Sequence, residues 1–247
     1  MKIFRKIRFD LLKNSVSTKY FKYAIGEIIL VVLGILIALQ INLWNEKRKN
    51  HNILTKNLEG VLRELKTDFT NIGKIIQVYN GNIKTRKAFI NELHLEKLSL
   101  GELENNLENF SKELNLEYSY FKKIQNSGIT EFGVYENIIK GLIDYYDNAL
   151  PYLNKITTTY DNQVTREDEF WRYEQNIYEF NYLDGLNSFQ DDKIAKKELI
   201  KLLKSPTGRN ILKIDVRRNV FMVQSLSKIQ PNLKKMISKL EKKLYKK

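Results

Sequence analysis

The sequence contains no cysteine, only three prolines and only two histidines among its 247 residues. The absence of cysteine excludes disulfides, thiolate catalysis and cysteine metal sites. Three prolines and eleven glycines leave few obligatory breaks in the backbone. Long helices can therefore persist, and an all-β chain with many turns is disfavoured. Hydrophobic residues make up 43% and charged residues 29% of the chain, which is typical of a folded protein rather than a disordered one.

Familiar catalytic motifs are also missing: there is no Walker loop, dinucleotide-binding glycine pattern, nucleophile elbow or H-E-x-x-H motif. His94 has Glu92 and Glu96 two residues away on either side, and residues spaced in this way point in different directions on a helix. The acidic runs at 167–169 and 191–192 could carry acid–base chemistry, but such runs more commonly solvate the first turn of a helix. We predict no cofactor, no metal site and no enzymatic activity.

One apolar run near the N-terminus is long enough to cross a membrane. Ala24–Trp44 has strongly polar residues only near its ends, and Ile28–Leu39 is uninterrupted apolar sequence. At about 1.5 Å per residue the run spans ~30 Å, the thickness of a hydrocarbon core. Tyr23 and Trp44 stand where interfacial aromatic anchors are expected. We predict a transmembrane helix at 23–44; a cleaved signal peptide and a buried core helix are the alternatives.

Basic residues around this run predict its orientation. Residues 1–22 contain seven lysines and arginines, whereas the fifteen residues after Trp44 contain four. Positive flanks resist translocation, so we predict a basic cytoplasmic leader at 1–22. The soluble all-α domain at 45–247 would then be periplasmic, anchored in a bacterial inner membrane.

The C-terminal region has a second basic excess. Residues 193–247 carry seventeen basic and three acidic side chains, whereas 23–192 carry eighteen basic and twenty-five acidic ones. Such a tail could attract nucleic acid, but a periplasmic location disfavours that partner. A solvated helix face, contact with anionic lipid headgroups and contact with the acidic middle of the chain are the other interpretations.

One face of the predicted transmembrane helix carries small residues suited to helix–helix contact. Gly34 and Ala38 form a small-xxx-small pair, which allows close approach of a second helix. This face predicts a homo-oligomer or a membrane partner protein in addition to the lipid bilayer. Interfacial solvation of its acidic residue is the alternative interpretation of that position. The face comprises Glu27, Val31, Gly34, Ala38 and Ile41.

The remainder of the chain has helical periodicity. Apolar residues alternate at three- and four-residue steps through 50–94, which predicts one long helix in the segment 45–95. Arg86 takes one position of this apolar seam. The seam consists of Leu54, Leu58, Val61, Leu65, Phe69, Ile72, Ile76, Tyr79, Ile83, Ile90 and Leu93.

Shorter helices are predicted in the acidic, aromatic-rich segment 99–190 and the basic segment 191–247. Ser99 begins a capping box, and a helix at 116–126 precedes a turn containing Gly128. Pro151 should kink or interrupt its helix, and Pro231 should kink the last one. The final two helices are expected at 193–204 and 207–245. The predicted fold is all-α, with a transmembrane helix followed by an elongated bundle of coiled-coil-like long helices.

A cluster of aromatic residues lies in the segment after 169. Aromatic side chains bury large areas and also form ligand or protein surfaces. Core packing and a ligand or partner surface are therefore both open. The candidates for such a surface are Phe170, Trp171, Tyr173, Tyr178, Phe180 and Tyr182.

The leader FRKIR and the following YAIGEIILVVLGILIALQINLWNE closely resemble the start of a large family of uncharacterised, single-pass bacterial envelope proteins, defined only by a domain of unknown function. The stretch YFKKIQNSGITEFGVYENIIKGLIDYY resembles that family more faintly. Leu43 departs from the pattern, because a second asparagine is expected before Trp44. The resemblance implies an uncleaved anchor and supplies no catalytic residue.

These observations predict a non-enzymatic, membrane-anchored envelope protein that serves interaction, scaffolding or sensing. The alternative is a periplasmic ligand-binding bundle that uses the aromatic cluster. An enzyme without a recognisable motif is the third hypothesis.

Overall fold

The computed structural model describes residues 17–107, 111–112, 114–179 and 188–245, with side chains from residue 21 onward. The predicted all-α class is confirmed, because these residues form helices and turns without a β-strand. The chain divides into two compact units, Met1–Lys56 and Asn57–Lys247.

Helix α1, Ser17–Asn91, is a single helix of 75 residues. It contains the apolar run and most of the predicted seam, and no proline interrupts it. One seam prediction is wrong, because Leu93 is 81% exposed beyond the helix end. Four other seam residues are only half-buried: Phe69, Ile76, Ile83 and Ile90. Asp68, the residue before Phe69, is buried instead. A straight helix turns by 100° per residue, so the positions of a strict 3-4 pattern move gradually away from one face of the helix. The buried seam residues of the second unit are Leu58, Val61, Leu65, Ile72 and Tyr79.

The segment after α1 forms short helices whose ends follow local sequence signals. Helix α2, Leu100–Asn105, begins with the predicted capping box: the Ser99 hydroxyl accepts from the Glu102 amide, and the Ser99 amide donates to the Glu102 carboxylate. Helix α3, Ser119–Gln125, ends near Gly128, which has φ 71°. The predicted glycine turn is therefore confirmed.

Helix α4, Glu136–Ile143, continues through a π-helical turn at Asp144–Ala149 into helix α5, Leu150–Glu169. Pro151 lies in the first turn of α5, so the predicted interruption is confirmed. Proline has no amide hydrogen, and its ring crowds the carbonyl four residues earlier. The wider preceding turn accommodates both effects. A second π-helical turn, Phe170–Glu174, follows α5.

The last two helices are α6, Asp192–Lys204, and α7, Pro206–Tyr245. Both lie within one residue of the predicted bounds. Pro206 begins α7, where a missing amide hydrogen costs least. The helix runs through Pro231 without a break.

Helices α4, α5 and α6 pack against α7, and α2 packs against α6. Trp171 is buried in a core cluster formed with residues of α1, α2, α6 and α7. Other buried members of this cluster include Phe89, Leu95, Leu103, Leu199, Leu203 and Leu212. A polar layer interrupts the apolar packing elsewhere in this second unit, and the candidate site begins there.

Candidate functional site

Four charged side chains form a buried network between α1, α5 and α7. Arg86 Nε donates to Asp215 Oδ2 at 2.8 Å, and one terminal nitrogen of Arg218 donates to Asp215 Oδ1 at 2.7 Å and to Glu167 Oε2 at 2.8 Å. All four residues are less than a tenth exposed. The formal charges balance, with two cations facing two anions, as buried charges require.

Helical spacing on α7 aligns this network. Asp215, Arg218 and Asn219 stand at i, i+3 and i+4 and therefore share one face. Asn219 Nδ2 donates to the Asp215 carboxylate and to its backbone carbonyl, at 2.9 and 2.8 Å. Tyr160 of α5 donates its hydroxyl to Asn219 Oδ1 at 3.0 Å. The Tyr160 ring also lies 5.1 Å from the Arg218 guanidinium and 5.3 Å from the ring of Tyr79.

Two groups of the network, Glu167 and Arg218, have raised pKa values. Desolvation raises the pKa of Glu167, although Arg218 opposes the shift. Burial also acts to lower the pKa of Arg218, but the carboxylates of Glu167 and Asp215 outweigh it and raise that pKa. Glu167 Oε1 and Arg218 Nε have no hydrogen-bond partner among the described residues. The arrangement links three helices through buried hydrogen bonds between charged side chains.

A groove between α5 and α7 adjoins the network. Its volume is about 540 Å³, within the usual range for small-molecule sites. Tyr160 and Arg218 contribute to its wall from the buried side. The exposed part of the lining combines apolar, neutral polar and cationic side chains: Tyr152, Lys155, Thr159, Gln163, Ile214, Arg217 and Phe221.

A second polar cluster joins α1 to α3 and to the π-helical turn at Asp144–Ala149. Glu64 accepts from the Ser119 hydroxyl at 2.6 Å and from the Tyr120 amide at 3.1 Å, so a carboxylate of α1 caps the start of α3. Asp68 accepts from the Tyr145 hydroxyl at 3.2 Å. Burial raises the pKa of Asp68 to about 7, with Glu64 adding to the shift and the Glu117 amide and Tyr145 opposing it.

The predicted association face lies in the first unit. Val31 and Ile41 are more than half exposed, Glu27 is half-buried, and a Cβ added to Gly34 would meet nothing within 4 Å in the described chain. The predicted helix–helix contact at this face therefore stays a prediction.

The predicted interfacial anchors of the first unit are exposed. Tyr23 is 61% and Trp44 63% exposed, and the Arg48 guanidinium lies 5.7 Å from the Trp44 ring.

The aromatic cluster divides between core and surface. Trp171 and Tyr178 are buried, Phe170 is half-buried, and Tyr173 is 80% exposed. Gln175 closes the turn between them: its side-chain nitrogen donates to the carbonyls of Trp171 and Tyr178.

Two members of that cluster, Phe180 and Tyr182, lie outside the described residues. The groove lies elsewhere, between α5 and α7. A ligand or partner surface at the aromatic cluster therefore stays a prediction.

Sequence reasoning missed the charged network and the groove. Arg86 interrupts the apolar seam of α1, and Asp215 is one of three acids in residues 193–247. Both are signals of a buried ion pair. Glu167 belongs to the acidic run interpreted as helix solvation, yet it is only 6% exposed. The partners are 51 and 129 residues apart in sequence, so periodicity could not bring them together.

Fold and site together define a class: an all-α protein in which a helical bundle follows one helix that is long and apolar enough to cross a membrane. Residues 27–142 match the model of a family described as Family of unknown function (DUF6090). The resemblance to an uncharacterised family is thus confirmed over these residues. No curated protein and no solved structure matches the chain.

Proposed function

We propose that this is a single-pass membrane protein of the bacterial inner membrane whose helical bundle is a non-enzymatic interaction module on the periplasmic side. The observation that carries the proposal is the exposure of the apolar segment in α1. The most apolar 18 residues of this segment have a mean hydropathy of 2.6, and none of them is buried.

The magnitude of this exposure supports a membrane environment. Ile28–Leu39 contains ten large aliphatic side chains, and those of Leu30 and Ile37 are 65% and 59% exposed. Burying one such side chain is worth about 1.5–3 kcal/mol. Because the ten side chains are about half exposed, leaving them in water would forgo roughly 8–17 kcal/mol, which is as large as the ~5–15 kcal/mol stability of a typical domain. A bilayer or a partner must cover them.

The polar clusters favour a structural role over catalysis. In the buried network, Asp215 accepts from three side chains and Glu167 from one, so both carboxylates serve helix packing. The glycine-containing face of the anchor offers a route to assembly, because small residues let two helices approach closely.

Topology is tested with alkaline phosphatase and a cytoplasmic fluorescent reporter, each fused to the C-terminus of the full chain. We expect active phosphatase and a dark fluorescent fusion in the membrane fraction, resistant to carbonate extraction. The reverse reporter pattern would overturn the periplasmic placement, and release by carbonate would overturn the anchor.

Assembly through the anchor is tested by chemical cross-linking in native membranes. We expect Gly34→Leu to abolish cross-linked oligomers, because the larger side chain blocks close approach. Val32→Leu is the matched control, because it adds bulk on the opposite side of the helix. Detection of monomer alone for the unmodified protein, or equal yields of cross-linked oligomer for both variants, would overturn self-association through this face.

A further inference from the structure

We propose that the groove between α5 and α7 binds a small amphipathic anion, with an aromatic or alkyl body and one anionic head. This goes beyond the proposed membrane-anchored interaction role, because it assigns a site and a ligand class within the bundle. It would hold even if the anchor did not self-associate.

The first support is the stripe of groove residues on each helix. Tyr152, Lys155, Thr159 and Gln163 follow three- and four-residue steps along α5, and Ile214, Arg217 and Phe221 do so along α7. Residues at these steps share a helix face. Tyr152, Ile214 and Phe221 are each about half exposed, at 52%, 53% and 52%. They give the groove apolar walls that water covers in the free protein.

The second support is charge. Lys155 and Arg217 line the groove from opposite helices, and both are exposed. Neither makes an ion pair or hydrogen bond through its charged group with another described residue. No carboxylate from the described residues lines the groove. Two uncompensated cations beside apolar walls complement a ligand with one anionic head and an apolar body.

The third support is rigidity. Arg218 and Tyr160 form the inner wall, and both are fixed from behind by Asp215, Glu167 and Asn219. Because these partners hold both side chains in place before a ligand arrives, binding orders few additional groups, and preorganisation of this kind improves affinity. The buried network thus has a consequence for binding as well as for stability.

The experiment uses full-length protein in nanodiscs of zwitterionic lipid, with empty nanodiscs as the blank. The probes are 2-naphthylacetate and 2-naphthylacetamide, which share an aromatic body and differ in charge. Calorimetry should show saturable binding of the acid, with at least about tenfold weaker binding of the amide. Equal affinities, or no saturable binding of either compound, would overturn the proposal.

Variants locate the site. We expect Lys155→Gln combined with Arg217→Gln to weaken acid binding by about tenfold and to leave amide binding unchanged. Lys234→Gln combined with Lys235→Gln is the matched control, because both lysines are exposed on α7 outside the groove and this double variant also loses two positive charges. A thermal melt checks folding of every variant. Loss of affinity in the control, or none in the double variant, would contradict the assignment.

Two further measurements exclude other occupants. The chain has no cysteine, so Ile214→Cys places a single thiol in the groove. We expect no disulfide between copies under oxidation; an efficient one would show that a second copy covers the groove. Adding phosphatidylglycerol to the nanodiscs should leave acid affinity unchanged, and abolition of binding would show that anionic lipid occupies the site.

Discussion

Replacing Asp215 with alanine should be among the most damaging single substitutions in the bundle. Asp215 accepts from Arg86, Arg218 and Asn219 at 2.8, 2.7 and 2.9 Å and is 4% exposed. Its removal takes one of the two carboxylates from the network and leaves both buried guanidinium groups in place. Breaking a buried pair by removing one partner costs about 3–5 kcal/mol. That is a large share of the ~5–15 kcal/mol expected for a domain, and it should lower the melting temperature by about 6–20 °C.

The assay uses the two tryptophans of the chain. Trp44 is 63% exposed and Trp171 is 1% exposed. A Trp44→Phe background leaves Trp171 as the only indole, so its fluorescence reports unfolding of the bundle core. Urea titrations in a fixed detergent, repeated by circular dichroism, give the free energy of unfolding and test for a single transition.

A surface pair supplies the matched control. Asp168 pairs with Arg172 at 3.0 Å, and their side chains are 35% and 42% exposed. Asp168→Ala should cost less than about 1 kcal/mol. Adding Arg86→Met to Asp215→Ala restores the balance of one cation and one anion, so the double variant should recover about 1–3 kcal/mol. If Asp215→Ala costs no more than Asp168→Ala, or if Arg86→Met brings no recovery, the reasoning about the network is refuted.

Three further predictions concern other parts of the bundle. The raised pKa of Asp68, about 7 against an ordinary value of 3.8, means that between these two pH values the folded state keeps a proton that the unfolded state releases. The contribution of Asp68 to stability is therefore greatest below pH ~4 and falls as the pH rises to ~7. Asp68→Asn should remove this contribution to the pH dependence measured in urea titrations and add about 1–2 kcal/mol at pH 7; an unchanged pH dependence would contradict the assignment. A Cβ on Gly60 would overlap the ring of Tyr120, whereas one on Gly81 meets nothing within 4 Å. In the same urea titrations, Gly60→Ala should lower the free energy of unfolding by about 1–3 kcal/mol, and Gly81→Ala should raise it by about 0.5–1 kcal/mol. Equal effects of the two substitutions would refute the close packing at Gly60. Ser99→Ala removes the capping box and should cost about 1 kcal/mol while speeding amide exchange of Glu102, and no change in exchange would count against the cap.

Local sequence signals were sufficient for much of the fold. The scarcity of proline and glycine indicated long helices, and the capping box, the glycine turn and the two C-terminal helices were placed within a few residues. These features depend on neighbours a few positions apart, where backbone sterics and helix-end hydrogen bonds decide the outcome. The seam of α1 was less accurate, because a 3-4 pattern does not follow a straight helix of 3.6 residues per turn.

The candidate site was not predictable in this way. The apolar run, its aromatic ends and its small-residue face were visible in the sequence, because each is a property of consecutive residues on one helix. The charged network and the groove needed the tertiary structure, because Arg86, Glu167 and Asp215 come from three helices and only packing brings them together. Burial then changes what these side chains do. A carboxylate that would be solvated on an isolated helix becomes part of a buried ion network. Packing also brings one lysine of α5 and one arginine of α7 to the same groove.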